Sequence, residues 1–330
     1  MTHVVGQDGR LNPLSFAGPL ALSLALYYSA AFLPIMGIFA PAPLYYAMVA
    51  HGRVTGVYTI ITATVATLLL SGVDHSLFFL VSCGLMAWVL ADAYYKKLDF
   101  ETTVAVASII PFSLGSALLF LSASTDGQGL TAHLSEWGRT TLGSIIETYK
   151  SMDVDPEVVT WLEGGAEEFV SMFVTIFPSI TIVSIMFMVM MNIFALRLVS
   201  LRFGWDIHFH NHLLSRWHIP DWFVWSIVVG GFGSAFMGGV VATVTLNLLI
   251  LGLAVYSIQG IAVIHFFFVR SKIPVFLLAI GYFLIFSQPL LIGGALVIGL
   301  VDVWADFRKL GSPDKPDNNT GHLPGPGDGN

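Results

Sequence analysis

RLVSLRFGWDIHFHNHLLSRWHIPDW, from Arg197 to Trp222, is the longest polar interruption in the second half of the chain, and apolar runs flank it on both sides. It carries Arg197, Arg202 and Arg216, the histidines His208, His210, His212 and His218, and the ring anchors Trp205, Phe209, Trp217 and Trp222. Basic residues between spans mark the cytoplasmic side of a membrane protein, and tryptophans collect at headgroup level. This stretch therefore sets the direction of every segment around it.

The 330 residues are 55% hydrophobic and only 11% charged, with a mean hydropathy of +0.79. A soluble chain would carry about a quarter charged residues. The apolar residues come in runs close to the length that crosses a bilayer core. The expected fold is all-α, a polytopic transmembrane helical bundle of eight to ten spans, some short or broken, with an external helical hairpin. The net charge of −7 is concentrated in one segment, and no basic patch with interleaved aromatics suggests nucleic acid. Cys83, the one cysteine, lies in an apolar run, which excludes an intramolecular disulfide and a thiolate metal cluster.

Taken in order, the chain reads as a cytoplasmic N-terminus (1–13), an N-terminal transmembrane bundle (14–124), an acidic external hairpin (125–168), a C-terminal bundle (169–308) with its basic, His-rich cytoplasmic loop (197–220), and a cytoplasmic tail (309–330) whose Pro/Gly/Asp/Asn composition predicts disorder. Pro34 to Pro43 (PIMGIFAPAP) holds three prolines, cannot be one continuous helix, and is either a turn at the outer surface or a re-entrant dip. At membrane depth such backbone must be buried in protein or line a cavity. Val54 to Ser71 and Leu77 to Ala93 pair around an outer turn at Asp74-His75. Pro178 lies inside the long inward span Phe169 to Leu196. Between Asp221 and Arg270 two crossings are needed, with the break expected in the glycine-rich Gly230 to Gly239. Pro274 to Phe286 and Leu290 to Val303 form a last hairpin.

In the acidic segment, nine carboxylates from Asp126 to Glu168 face only Arg139 and Lys150. Leu130, Leu134, Trp137, Thr141, Ile145, Tyr149 and Met152 follow helical spacing and predict one apolar stripe. Asp155-Pro156 reads as an N-cap followed by a first helical residue.

Polar residues inside spans are costly and are paired or functional. Asn192, Asn247, Gln259, His265 and Gln288 are of this kind. They serve either as interhelical hydrogen-bond glue or, for Asn192, Asn247, Gln259 and Gln288, as walls of a ligand pocket near broken helices; Pro34–Pro43 and Gly230–Gly239 are the candidate broken pair. Ala17, Ala21 and Ala25 repeat every four residues, a spacing that lets a partner helix approach. His208, His210 and His212 alternate as a strand-borne metal site would, but as a weak candidate beside an ordinary interfacial loop. Asp302 and Asp306 lie beside Arg308 and Lys309, which would neutralise them. There is no P-loop, GxSxG or HExxH, so neither an enzyme nor a cofactor is expected.

Three stretches resemble the YybS-like family of bacterial integral membrane proteins: NIFALRLVSLRFG (Asn192 to Gly204) following Pro178, Trp217-His-Ile-Pro220-Asp-Trp222, and the run from Tyr256 through Gln259-Gly260 to Ile264. That family is similar in fold to the S-components of energy-coupling-factor vitamin transporters. The resemblance implies a partner-helix face at Ala17, Ala21 and Ala25, and ligand held near Pro34–Pro43. The chain departs from S-components in having more spans than their usual six and in its acidic hairpin. The expectation is a bacterial inner-membrane protein, multi-pass, in contact with lipid. Its role is a small-molecule binding or transport subunit, or alternatively a non-transporting scaffold or assembly factor holding a membrane protein partner.

Overall fold

A computed structural model describes residues 13–125, 127, 129–152, 155–204, 214–215 and 217–309. Every regular element among them is helical. The histidines His208, His210 and His212 and the tail after Lys309 lie outside the described residues. The chain forms two compact units, one of Met1–Leu213 with Trp217–Val255 and one of Leu214–Arg216 with Tyr256–Asn330.

The first unit opens with α1 (Pro13–Ser29), a single turn α2 (Pro34–Gly37) and α3 (Pro41–His51). α3 is its core: Leu44, Tyr45, Ala47 and Met48 are buried, and α1, α4, α5 and α9 surround it. Next come α4 (Arg53–Phe79), a π turn at Leu80–Leu85 and α5 (Met86–Tyr95). This apolar stretch is not one rod. Gly72 has φ 86° and ψ −175°, a backbone region open only to glycine, and there the chain folds back. The Ser76 hydroxyl reaches the Thr64 carbonyl, and Arg53 meets Asp92 at 3.0 Å. On a straight helix those last two residues would be about 58 Å apart. The turn expected at Asp74-His75 is thus made two residues earlier, where the backbone permits it.

α6 (Phe100–Thr125) runs back beside the second arm, with Gly115 against Val81. α7 (Leu130–Ser151) and α8 (Pro156–Gly164) lead into α9 (Ala166–Phe203). Asp155 caps α8, its carboxylate accepting from the Glu157 amide at 3.0 Å. After Pro220, α10 (Trp225–Phe236) turns at Gly238–Gly239 into α11 (Gly239–Arg270). The break falls at the C-terminal edge of the glycine run. Gly230 and Gly233 stay helical and instead let α10 touch the Leu249 and Thr245 positions of α11.

In the second unit, α11 packs on α13 (Pro289–Ala305) so closely that a Cβ on Gly260 would collide with the Ala295 carbonyl, and one on Gly299 with the Tyr256 carbonyl. Small residues four apart, Ala295 and Gly299, make that seam. α12 (Val275–Ser287) meets α13 at a 101° bend, a corner rather than the antiparallel hairpin the sequence predicts.

Among the described residues four stretches are long and apolar enough to cross a membrane, or five with the bent α12–α13 pair. Fewer elements reach that length than the eight to ten segments counted in the sequence, because the Phe16–Ser29 and Asp221–Phe236 helices are short and the 53–95 stretch holds two arms. The architecture is a polytopic helical membrane bundle.

Candidate functional site

The sequence points first to the proline-rich segment. Pro41 and Pro43 carry no N–H, and the chain between α2 and α3 closes with short steps, Ala40 to Gly37 and Ala42 to Phe39, which pass over the Ile38 carbonyl. Side chains from other helices reach into this break. Asn192 of α9 donates from Nδ2 to the Ile38 carbonyl at 2.8 Å and to Met188 of its own helix at 2.7 Å. The Ser23 hydroxyl of α1 donates to the Ala40 carbonyl at 2.8 Å. Ser23 and Asn192 are both fully buried. The second half of the segment, Ala40 to Pro43, is therefore largely interior and sealed by two side chains, whereas Pro34 to Met36 are exposed, and Asn192 Oδ1 is buried without a partner among the described residues. Ser23 was missed in the sequence; a serine in an apolar helix gives no sign of its partner.

Asn247 of α11 does similar work further along α9. Its Oδ1 accepts from the Ser179 amide at 2.9 Å and its Nδ2 donates to the Thr175 carbonyl at 2.8 Å. Those two backbone groups are one i→i−4 step, directly after Pro178, where a proline ring forces a helix open. The carboxamide bridges the two groups. Ser179 and Asn192 lie about 20 Å apart along α9, so Asn192 and Asn247 do not share a pocket.

Gln259 and Gln288 belong to the second unit. Gln259 is fully buried and donates to Asp302 Oδ2 at 3.1 Å. The same oxygen accepts from Arg308 Nη2 at 2.7 Å, with side-chain exposures of 1% and 3%. Asp302 Oδ1 accepts from the Phe307 amide, and Arg308 Nη1 donates to the Ser215 carbonyl at 3.1 Å. Asp306 in a left-handed conformation (φ 38°) turns the chain so that Arg308 can reach back. The expected neutralisation of Asp302 by Arg308 is present, and it is buried. Gln288 is exposed at the start of α13. His265 Nδ1 lies 2.6 Å from the Tyr282 hydroxyl. Among the described residues no three His, Cys, Asp or Glu side chains gather as a metal site requires.

Ala17, Ala21 and Ala25 are all exposed on α1. The two ends of the first unit differ sharply in charge. At one end Asp92 holds both Arg53 and Lys96, at 3.0 and 2.7 Å, and Arg53 lies over the Tyr95 ring. Phe100, at the start of α6, packs on Phe194 and on the buried Trp217, and Glu101 accepts from the His218 amide. This brings the last turns of α9, with Arg197 and Arg202, to the same end. At the other end Tyr28 bonds Ser71 beside the Gly72 turn, and α7 packs antiparallel on the start of α9. Arg139 pairs with Glu167 at 2.8 Å and Lys150 with Glu163 at 2.6 Å. Hydrogen bonds to Glu167, and then its charge, hold the Arg139 guanidinium above its ordinary value. The face of α7 turned to its neighbours carries Leu134, which the predicted stripe includes, with Gly138 and Ile146, which it does not; Gly138 admits Val170. Trp137, Ile145, Tyr149 and Met152 remain exposed.

Comparison with known proteins adds one match: a family model described as predicted membrane protein (DUF2232) covers residues 20–303. No curated protein and no solved structure matches the chain.

Proposed function

The chain belongs to the DUF2232 family of predicted membrane proteins, and from that premise we propose that it is a non-enzymatic membrane scaffold that holds a partner protein at its acidic end. The observation that carries this reading is how the intramembrane amides are used. Asn192 and Asn247 direct their amide N–H groups to backbone carbonyls of neighbouring helices, and Gln259 bonds a buried ion pair. The acidic hairpin, by contrast, leaves large apolar side chains and carboxylates exposed. On this reading the basic end faces the bacterial cytoplasm and the hairpin lies outside.

A second reading, a small-molecule binding or transport subunit similar to an S-component, is favoured by one observation: the buried, unpartnered Asn192 Oδ1 beside the α2–α3 break. Affinity purification in mild detergent, with mass spectrometry of proteins and small molecules, separates the two. The scaffold reading expects a protein partner in near-stoichiometric yield. A retained small molecule with no protein partner would overturn it in favour of the second.

A further inference from the structure

We propose that Arg53 and Lys96 form a site for the headgroup of an anionic phospholipid at the basic end of the first unit; this goes beyond the scaffold reading and is independent of what the acidic hairpin holds. Trp88, Asp92, Tyr95 and Lys96 recur at helical spacing along α5 and its cap and share one face. On that face Asp92 meets Arg53, the first residue of α4, at 3.0 Å and Lys96 at 2.7 Å. The Arg53 guanidinium carbon lies 4.7 Å from the centre of the Tyr95 ring. The Tyr95 hydroxyl donates to the Met48 carbonyl at 2.6 Å, which fixes that ring. One carboxylate and one anchored ring thus hold both cations in place, so a ligand meets them with little ordering left to do.

Two cations against one carboxylate leave positive charge in surplus. Asp99 and Glu101, the next carboxylates along the chain, are directed elsewhere, Asp99 to the Thr102 amide and Glu101 to the His218 amide. Among the described residues Arg53 donates to Asp92 through Nη2. The rest of its planar fork, a shape suited to phosphate, stays open, since the Arg53 and Lys96 side chains are 53% and 62% exposed.

Beside these charges the surface is apolar. Val57 lies one turn from Arg53 and Trp88 one turn from Asp92, and both are exposed. In a chain of a membrane protein family, such a face meets lipid, and Trp88 and Tyr95 fall where ring side chains collect at headgroup level. One phospholipid fits both features: its phosphate on Arg53 and Lys96, its acyl chains along Val57 and Trp88. The surplus charge selects a net-negative headgroup over phosphatidylcholine, whose choline cancels its phosphate, by about fivefold.

The test is native mass spectrometry of the full chain from detergent micelles holding phosphatidylcholine and phosphatidylglycerol in equal amounts. The unaltered chain should retain phosphatidylglycerol about fivefold over phosphatidylcholine, and Arg53→Gln and Lys96→Gln should each bring the ratio close to even. Asp92→Asn breaks the same ion pairs but removes negative charge, so it should keep or raise the ratio. A fall in Asp92→Asn equal to that in the other two would make the pairs merely structural and overturn the proposal. Lys309→Gln, at an exposed lysine of the second unit, should leave the ratio unchanged; an equal fall there would reduce the preference to diffuse charge and overturn the site. No preference in the unaltered chain, or displacement of phosphatidylglycerol by inorganic phosphate alone, overturns the lipid assignment.

Discussion

Arg53 lies 3.0 Å from Asp92, 39 positions along a nearly unbroken apolar stretch, because Gly72 folds that stretch into two arms. The glycine conformation is the hinge of the pairing, and a side chain there would be strained by roughly 1–3 kcal/mol. Gly72→Ala should therefore lower the melting temperature in detergent. Gly143, helical and with open space around its Cβ position, should behave oppositely: Gly143→Ala is expected to stabilise by roughly 0.5–1 kcal/mol. Equal effects at the two sites would show that Gly72 does not make the turn.

Asn247 and Pro178 should be energetically coupled. Asn247→Leu leaves the Thr175 carbonyl and Ser179 amide without the side chain that bridges them and should cost on the order of 1–2 kcal/mol. In a Pro178→Ala background the helix can close that step itself, so the same substitution should cost less. A double-mutant cycle on thermal stability measures the difference; strict additivity would separate the amide from the proline.

The bundle, the hairpin near residue 72 and the glycine-rich break were all legible in the sequence, because glycine and apolar length act locally. The partners of Asn192, Ser23 and Asn247 were not. Each polar group answers a backbone atom next to a proline on another helix, at separations of 154 residues for Asn192 and Ile38 and 72 for Asn247 and Thr175. Periodicity carries no information at that range. The stripe predicted for α7 includes Leu134 but not Gly138 for a related reason: Gly138 has no hydrophobicity to register, yet its lack of a side chain admits Val170 of α9. The α12–α13 corner was read as a hairpin because Ser287-Gln288-Pro289 specifies a break, not its angle.

The Asp302–Arg308 pair gives a sharper stability contrast. Removing one charge leaves the other buried, so Asp302→Asn and Arg308→Met should each cost about 3–5 kcal/mol. Replacing both together, Asp302→Leu with Arg308→Met, should restore much of the loss. Unfolding in detergent followed by tryptophan fluorescence would check this. A double variant as unstable as the sum of the singles would mean that the pair is needed for more than charge balance, for instance to hold Ser215.

Close packing of α11 on α13 predicts a graded series. Gly260→Ala should destabilise markedly, since its Cβ meets the Ala295 carbonyl, whereas Gly293→Ala, with nothing near its Cβ position, should be nearly silent. Expression yield and melting temperature of the two variants provide the comparison.

The most direct measurement is residue accessibility from each side of the membrane. Cys83 is buried, so single cysteines at Lys97→Cys, on the basic end, and Thr160→Cys, on the acidic hairpin, can be labelled with an impermeant maleimide in intact cells. This topology predicts that Thr160→Cys is labelled at once and Lys97→Cys only after permeabilisation. Labelling of both from outside, or of Lys97→Cys alone, would contradict it.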